Sequence, residues 1–411
     1  MSRPNILFLF SDQQRWDTVN CYGNAIHDGI TPNLDKLAAQ GVRFQHAFTC
    51  QPVCGPARAC LQTGQYATQI GCPTNGFALP MDADTVAKRV HHAGYETGYI
   101  GKWHLASDNN VQPEEKRTNY RMKAVPPELR GGYQDHWLVA DALEHTSHGY
   151  EGYMFDADMN RVDFEGYRVD CTANFVIDYL RDYGSRKPER PFFLFTSFIE
   201  PHHQNDLGRY IGPIGSKQRF AGYRTPGDLE GLDGNWRKEL PDYLGCCWSL
   251  DRNVGRIVDE LELQGLLDNT IIIYTSDHGS HFCTRNSEYK RSCHEGSLRV
   301  PLIIRGPGFE GGKVVEDLVS LIDLPSTVVT AAGGTVMARN QGRPLQELVE
   351  GATDWTDHVF AQISESHCGR CIRTRKWKFS VRAVDPVRTH YGTRYVHDFL
   401  YDLEQDPHER N

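Results

Sequence analysis

The chain of 411 residues is 39% hydrophobic and 11% aromatic, which is enough apolar material for at least one large core and, by length, for two or three domains. Its formal net charge of -9 gives no sign of the basic face that binds nucleic acid, so an anionic substrate would need local positive charge. No apolar run approaches the roughly 18 to 20 residues that span a bilayer and the N-terminus lacks a signal-peptide pattern, so we expect a cytoplasmic protein with no membrane partner.

Four apolar runs are typical of strands that end in polar residues. "NILFLF" (5–10) is followed by Ser-Asp, "YETGYIG" (95–101) by "KWHL", "PFFLFTSF" (191–198) by "IEPHH", and "TIIIYT" (270–275) again by Ser-Asp. The runs are continuous rather than alternating, as in parallel strands that are buried on both faces. Because ligands gather at the carboxyl ends of strands in open α/β sheets, we expect these four polar tails to converge.

Helix patterns lie between the strands. "TPNLDKLAAQG" opens with Thr-Pro and closes on glycine, and "DADTVAKRVHHAG" and "LDRNVGRIVDELELQG" also close on glycine. The alternation of strand and helix predicts an α/β fold, with a large, mostly parallel sheet flanked by helices, over a catalytic domain at residues 1–335.

Two other regions differ from this domain in composition and residue pattern. Residues 105–170 are rich in Tyr, His, Gly and charge, and are predicted to form an insertion or lid over the site. "HVFAQIS" and "CIRTRKWKFSVRAV" alternate between polar and apolar residues, as strands with one buried face do. Residues 336–411 are therefore predicted to form a small C-terminal antiparallel α+β subdomain.

The stretch "CQPVCGPARACLQTG" (50–64) concentrates three of the twelve cysteines. The cysteines are spread along the chain without a dense framework, which favours reduced thiols. A zinc site needs closely paired ligands that the stretch does not supply. A thiol phosphatase would carry its arginine six positions after Cys54, where Cys60 stands, whereas the arginine is Arg58. Neither of these sites, nor a plain buried thiol, explains the Pro-x-Arg.

The same stretch resembles the signature of the type I, formylglycine-dependent sulfatases of the alkaline phosphatase superfamily. "CGPAR" followed by "ACLQTG" matches that signature, with Gln62 between the usual Leu and Thr. "GYETGYIGKWHL", "SFIEPHH", "IIIYTSDHG" and "KRSCHEGSLRVPLIIRGPG" resemble further sulfatase blocks in family order. The resemblance implies an alkaline phosphatase-like fold and a sulfuric ester hydrolase. Its substrate would be a small-molecule or oligosaccharide sulfate ester, for which a sulfated carbohydrate is the family-level expectation.

The resemblance also implies a modified nucleophile. In this family a formylglycine-generating maturase oxidises the signature cysteine, here Cys54, to 3-oxoalanine (formylglycine). The hydrated aldehyde has two hydroxyls: one attacks sulfur, and the other later loses its proton, so that sulfate leaves by carbon–oxygen cleavage. Arg58 is expected to offset negative charge on the nucleophile, and a helix beginning after Pro56 is expected to add its dipole.

A divalent metal is the second implied partner. The resemblance makes Asp12, Gln13, Cys54, Asp277 and His278 its ligands, and calcium is the usual ion of the family. Many sulfatases carry Asp in place of Gln13 and Asn in place of His278, and the less anionic, softer set here would admit Mn²⁺ or another divalent ion. Phosphonate monoester hydrolases and choline sulfatases carry similar pairs, so a phosphonate monoester or phosphodiester hydrolase is an alternative.

Four further residues match family positions that handle the sulfate. Lys102 and His104, from "GKWHL", match the pair that binds sulfate and contacts the formylglycine hydroxyl. His202 and Lys290 match residues that bind sulfate or donate to the bridging oxygen. Asn75, in "PTNG", is expected to line the pocket. The predicted catalytic residues are thus Cys54, Arg58, Lys102, His104, His202 and Lys290, and the predicted substrate-binding residues are Lys102, His202, Lys290 and Asn75.

Two other possibilities stay open. A non-catalytic binding module with an unconverted cysteine is disfavoured, because every charged member of the predicted site is present. The His- and aromatic-rich surface leaves room for association into oligomers. His203 and His294 lie next to the predicted site residues, and we expect them to be surface or packing histidines.

Overall fold

The computed structural model describes residues 3–23, 26–111, 113–388 and 390–411. The strands are β1 (Asn5–Ser11), β2 (Val42–Phe48), β3 (Glu96–Lys102), β4 (His136–Ala140), β5 (Glu151–Phe155), β6 (Arg161–Glu165), β7 (Phe192–Ser197), β8 (Thr270–Ser276), β9 (Arg299–Val300), β10 (Leu302–Arg305), β11 (Lys313–Ser320), β12 (His358–Ile363), β13 (Gly369–Thr374), β14 (Trp377–Ala383) and β15 (Tyr395–Asp402). The helices are α1 (Pro32–Gln40), α2 (Cys54–Thr63), α3 (Ala67–Ile70), α4 (Val86–His92), α5 (Leu143–Thr146), α6 (Arg168–Arg186), α7 (Ser216–Arg219), α8 (Trp236–Leu263), α9 (Glu295–Leu298), α10 (Leu324–Ala331) and α11 (Gln346–Val349).

The larger sheet has the strand order β11-β2-β10-β8-β1-β7-β3-β4-β5-β6 within the described ranges, and β9 pairs with β2. Its central strands β8, β1, β7, β3 and β4 run parallel. Every residue of β1 is buried, because the strand is covered on both faces and its sequence is accordingly apolar throughout. The predicted mostly parallel sheet is confirmed.

Helices cover both faces of this sheet. Leu7 and Phe8 are successive residues of β1, so their side chains point to opposite faces and belong to different cores. Phe8 packs in the core that contains α2, α4 and α10, and Leu7 packs in the core that contains α1, α6 and α8. The layers hold the sheet rigidly, and a rigid sheet fixes the positions of the side chains that follow its strands.

The region predicted as an insertion, residues 105–170, partly belongs to the sheet. β4 pairs in parallel with β3, and β5 and β6 extend the same edge in antiparallel pairing. The prediction of a separate insertion therefore does not hold for β4 to β6. The "HWLVA" segment is a mostly buried strand, whereas the surrounding Tyr, His and Gly gave the region the composition of a surface loop.

A second sheet at the C-terminus contains β12, β13, β14 and β15 in antiparallel order. This confirms the predicted small antiparallel part of the chain, while the boundary at residue 335 stays a prediction. Lys378 of β14 is fully buried and its Nζ lies 2.8 Å from Glu295 Oε1, so an ion pair joins this sheet to α9. Among the helices of the described ranges, none is both long and apolar enough to cross a membrane.

Candidate active site

The site forms where strand ends meet. Asp12, Lys102 and Asp277 stand at or directly after the carboxyl ends of β1, β3 and β8, which are parallel and therefore end at one edge of the sheet. β2 runs in the direction of β8, because both are antiparallel to β10. The loop after β2 thus delivers Cys54 to the same edge, and the predicted convergence is found.

Cys54 is the first residue of α2, so the helix begins two residues before the predicted start after Pro56. Proline is well accommodated in a first turn because its missing N–H would have no partner there. The Gly55 amide of this turn donates to Asn75 Oδ1 over 2.8 Å. Cys54 therefore lies at the positive end of the helix dipole, where negative charge is stabilised.

The Cys54 thiol is enclosed by charged groups and is only 1% exposed. Lys290 Nζ lies 2.9 Å from its sulfur, His278 Nε2 3.3 Å and Asp12 Oδ1 3.4 Å. Burial, with the nearby Asp12 carboxylate, raises the pKa of Cys54 to about 12. A thiol held protonated at neutral pH is a poor nucleophile, so this environment is not built to use the cysteine as a thiolate.

Four of the predicted metal ligands lie together. One donor atom each from Asp12, Cys54, Asp277 and His278 falls within 4.8 Å of the others. Asp277 Oδ1 accepts the Gln13 and His278 amides over 2.9 and 2.8 Å, but Asp277 Oδ2 is buried and accepts no hydrogen bond from the described residues. Arg58 Nη2 lies 3.9 Å from this oxygen, too far for a hydrogen bond, and a buried carboxylate oxygen is costly unless a cation binds it closely, so the residues fit a divalent ion.

The pKa values of the two carboxyl groups of this cluster, Asp277 and Asp12, are shifted in opposite directions. Burial and the neighbouring Asp12 raise the pKa of Asp277 to about 7. Burial also acts to raise the pKa of Asp12, but Lys102 and the surrounding cations outweigh it, so that this pKa lies well below its ordinary value. Two carboxylates this close need a cation between them to be charged together, which agrees with a metal site.

Gln13 contributes in a way that the sequence did not indicate. Its backbone amide holds Asp277, and its side-chain Nε2 donates to the Tyr210 hydroxyl over 2.7 Å. Its backbone has a positive φ of 72°, in the left-handed region that non-glycine residues rarely adopt. Gln13 Oε1 accepts only a long bond of 3.4 Å from the His203 amide, which leaves capacity for another partner. Its role as a metal ligand stays a prediction.

Arg58 and Lys102 both bind the outer oxygen of Asp12. Arg58 Nη2 lies 3.0 Å and Lys102 Nζ 2.8 Å from Asp12 Oδ2, and all three side chains are buried. Arg58 also donates to Ser197 Oγ over 2.7 Å, and Lys102 Nζ lies 3.3 Å from Glu144 Oε2. The two cations fix Asp12 and leave its Oδ1 facing Cys54.

Two further predicted residues, Lys290 and His202, lie together beside Cys54. Lys290 Nζ lies 3.4 Å from His202 Nε2. Burial acts to lower the pKa of Lys290, but the neighbouring acidic groups, from Cys54 to Asp12 and Asp277, raise it above its ordinary value, so it is an ammonium. Burial, and then the nearby lysines, lower the pKa of His202 well below its ordinary value, so its imidazole is neutral. An ammonium beside a neutral imidazole is an arrangement that can transfer a proton.

His104 is brought to the same region as a half-buried neutral base. Burial and the Lys102 ammonium lower its pKa to about 3, and its Nδ1 has no hydrogen-bond partner among the described residues. Its amide donates to the Asp141 carbonyl over 2.6 Å, and its φ is 61°. An unpartnered nitrogen on a neutral ring is free to accept a proton.

Three residues near the site were not predicted. Glu144, which pairs with Lys102, lies in the region that was predicted to form an insertion or lid. No motif or spacing in the sequence indicated that it would reach the site. Ser197 ends β7 and could have been found by the same rule that found Asp12, a polar residue at a strand end. Glu200 pairs with the buried Arg168 over 2.9 Å and anchors the loop that carries His202.

The neighbouring histidines differ in position. His203 stacks on Tyr289 with ring centroids 5.0 Å apart, at the border of the site. His294 lies 3.1 Å from the Tyr401 hydroxyl and packs against the C-terminal sheet, as expected of a packing histidine. All twelve cysteines fall within the described ranges, and none forms a disulfide.

Comparison with known proteins gives the family. Residues 4–334 match the model of the sulfatase family, and residues 287–411 match that of the C-terminal region of N-sulphoglucosamine sulphohydrolase. The chain is 26% identical to an N-acetylglucosamine-6-O-sulfatase of Bacteroides thetaiotaomicron, over 100% of this chain and 82% of that protein.

Solved structures agree with the family match. A sulfatase structure from Bacteroides fragilis superposes with a TM-score of 0.83 at 26% identity, covering 100% of this chain and 91% of that one. The phosphonate monoester hydrolase of Agrobacterium radiobacter shares the fold, with a TM-score of 0.68 at 22% identity over 99% of this chain and 90% of that one. The chain therefore belongs to the sulfatase family and is a sulfuric ester hydrolase.

Proposed function

We propose that the protein hydrolyses the sulfate ester of a sulfated carbohydrate through a formylglycine made from Cys54. The observation that carries this proposal is the setting of Cys54, at the start of α2 and 2.9 Å from Lys290 Nζ. Burial raises the pKa of its thiol to about 12, which does not favour a thiolate nucleophile at this position. A hydrated aldehyde at the same position supplies a hydroxyl that attacks sulfur and a second hydroxyl whose deprotonation releases sulfate.

The modification requires a maturase as partner. Cys54 is 1% exposed and is surrounded by Asp12, His278 and Lys290 in the folded chain. A formylglycine-generating maturase would therefore reach the thiol before folding is complete.

The proposed metal ligands are Asp12, Gln13, Asp277, His278 and the modified residue 54. A divalent ion, Ca²⁺ by the family's usual preference or Mn²⁺, would lower the pKa of a bound hydroxyl and offset negative charge on the sulfate. The orphaned Asp277 Oδ2 supports such an ion.

The other side chains have separate tasks in this proposal. Arg58 and Lys102 keep Asp12 charged and in place, through contacts of 3.0 and 2.8 Å. The Lys290 ammonium lies against the reacting atom and neutralises charge on the sulfate oxygens. His202 is neutral and lies 3.4 Å from Lys290 Nζ, so in this proposal it takes up a proton from the Lys290 ammonium as it gives its own ring proton to the bridging oxygen of the leaving alcohol.

His104 completes this assignment as the base for the second hydroxyl. It is neutral because burial lowers its pKa to about 3, and its Nδ1 is unpartnered. A neutral imidazole can accept the proton whose removal triggers the release of sulfate.

A carbohydrate substrate has two supports. The relative described above is an N-acetylglucosamine-6-O-sulfatase, and the match covers all of this chain and 82% of that protein. Tyr289 lies 6.1 Å, centroid to centroid, from His202, and aromatic rings beside a reaction centre commonly pack against the apolar face of a sugar.

A phosphonate monoester or phosphodiester hydrolase remains the second candidate. Gln13 and His278 make the metal set resemble that of phosphonate monoester hydrolases, and one such enzyme shares the fold. Parallel assays with an aryl sulfate, a phosphonate monoester and a phosphodiester separate the two candidates. We expect the highest kcat/KM with the sulfate, and a dominant phosphodiesterase rate would contradict the sulfatase proposal. A panel of sulfated monosaccharides and glycosaminoglycan fragments then tests the carbohydrate class.

A further inference from the structure

A cavity of about 550 Å³ adjoins the candidate active site. Asn75 connects the two, since it lines the cavity and its Oδ1 accepts the Gly55 amide, next to Cys54, over 2.8 Å. Arg291 also lines the cavity, and it directly follows Lys290, whose Nζ contacts the Cys54 sulfur. A substrate whose sulfate lies at residue 54 can therefore place its neighbouring groups in this cavity.

The cavity is strongly basic although the chain as a whole has a net charge of -9. Four arginines and one carboxylate line it, from segments far apart in sequence: Arg117, Arg121, Arg291, Arg388 and Glu365. Arg291 is paired with Glu365 at 2.6 Å and with Glu288 at 3.2 Å, and the exposed Arg117 is paired with Glu114 at 3.0 Å. Among the residues that the structure describes, neither Arg121 nor Arg388 forms an ion pair, so positive charge is left uncompensated here.

Two residues that line the cavity have strained backbone conformations. Arg291 and Glu365 have φ values of 69° and 67°, in the region that disfavours non-glycine residues. Their ion pair is connected to Asn75, because Glu365 Oε1 accepts the Asn75 amide over 2.7 Å. The same turn thus places Lys290 at the reaction centre and Arg291 in the cavity.

We propose that this cavity binds a second anionic group of the substrate, a carboxylate or a further sulfate, on the same sugar or the adjoining one. The proposal rests on the proposed sulfatase function and narrows its substrate to a carbohydrate with at least two anionic groups. Guanidinium groups suit this task, because each can bind a carboxylate or a sulfate through two parallel hydrogen bonds.

The test compares kcat/KM for three substrates: a singly sulfated sugar, the same sugar with a second sulfate, and the same sugar linked to a uronate. The variants are Arg121→Gln, Arg388→Gln and both together. Arg375→Gln is the matched control, because Arg375 is also exposed but follows β13, at the opposite end of β14 from Arg388, and does not line the cavity.

We expect the wild-type enzyme to prefer a doubly charged substrate, and each arginine variant to reduce that preference about tenfold. The control variant keeps the wild-type preference. A loss with either doubly charged substrate supports the proposal, and the substrate that responds identifies the group as carboxylate or sulfate. An unchanged preference in the double variant contradicts the proposal.

Ionic strength gives a second, mutation-free measurement. The arginines are largely exposed, so salt should weaken the preference of the wild-type enzyme for the doubly charged substrate, and a salt-independent preference would count against the cavity.

The two proposals fail in different ways. A wild-type enzyme that releases sulfate from an aryl sulfate but from none of the three sugars contradicts the proposed carbohydrate substrate. An active enzyme whose preference ignores the arginines contradicts only the cavity.

Discussion

Lys290 Nζ lies 2.9 Å from Cys54 Sγ, although 236 positions separate the two residues. The ammonium also lies 3.2 Å from His278 Nε2, so it stands between the proposed nucleophile and the proposed metal ligands. This contact places a permanent positive charge at the reacting atom, where a sulfate would carry negative charge.

Replacing Lys290 by methionine removes that charge while keeping most of the side-chain volume. We expect kcat for an aryl sulfate to fall about 100-fold to 1,000-fold, the usual effect of removing one preorganised electrostatic contact to a reacting group. Lys290→Arg should recover part of the loss because it restores the charge. Lys313→Met, at an exposed lysine of β11, is the control and should keep full activity. A Lys290→Met enzyme with near-normal kcat would show that the ammonium does not act on the reaction.

Replacing Cys54 by alanine removes the residue that is to be oxidised. We expect turnover to be abolished while the fold and the binding of the divalent ion persist, because three other ligand side chains of the cluster remain. Cys60→Ala is the matched control, since Cys60 is also fully buried and lies in α2. That control should keep its activity and lose about 1 kcal/mol of stability, as is common for a small core truncation. Substantial turnover by Cys54→Ala would refute the nucleophile.

Removing the divalent ion should lower both activity and stability. A ligand that binds only the folded state stabilises it by about 2.7 kcal/mol at a concentration 100 times its Kd. We therefore expect a chelator to lower Tm and to abolish sulfate release, and Ca²⁺ or Mn²⁺ to restore both. In Asp277→Asn the Tm should no longer respond to added ion, because one charged ligand is lost. If the Tm of the wild-type protein ignores both chelator and ion, the metal site is wrong.

Asp251 lies outside the active site and makes the free energy of unfolding depend on pH. Its carboxylate accepts the amides of Asn33 and Leu34 at the start of α1, and burial raises its pKa from 3.8 to about 6. The folded state therefore holds a proton that the unfolded state releases. Stability from this group is fully present below pH 3.8 and is lost as the pH rises through 6, by about 3 kcal/mol in all, of which about 2 kcal/mol is lost between pH 4 and 7.

The check is the free energy of unfolding measured by denaturant between pH 4 and 7. Asp251→Asn cannot titrate, so its decline in stability over this interval should be smaller than that of the wild type by about 2 kcal/mol. Asp268→Asn, at a fully exposed aspartate, should follow the wild-type curve. Identical pH profiles for Asp251→Asn and the wild type would contradict the raised pKa.

The central strands and the residues that follow them were predictable from the sequence for a simple reason. A continuous apolar run such as β1 or β8 is compatible with little except a strand buried on both faces. The position of Asp12 and Asp277 then follows, because parallel strands end at one edge. In β4 the same logic failed, since its short run begins with His136 and Trp137 and lies among residues typical of a loop.

The contacts made by loops were not predictable. Glu144 of the short helix α5 reaches Lys102, and the loop residues Arg121 and Arg388 reach one cavity, only because of the paths that the connections around them take in three dimensions. No periodicity or spacing encodes such a path. The role of Gln13 was also hidden, because its contact with Asp277 is made by its backbone amide and not by its side chain.

The central claim is that Cys54 acts only after oxidation to formylglycine. The direct measurement is the rate of sulfate release from an aryl sulfate, taken together with the fraction of residue 54 that peptide mass spectrometry finds as the aldehyde. Protein made with and without a formylglycine-generating maturase supplies a range of fractions. We expect a rate proportional to that fraction, with no sulfate release by the pure thiol form. Equal rates from converted and unconverted protein would contradict it.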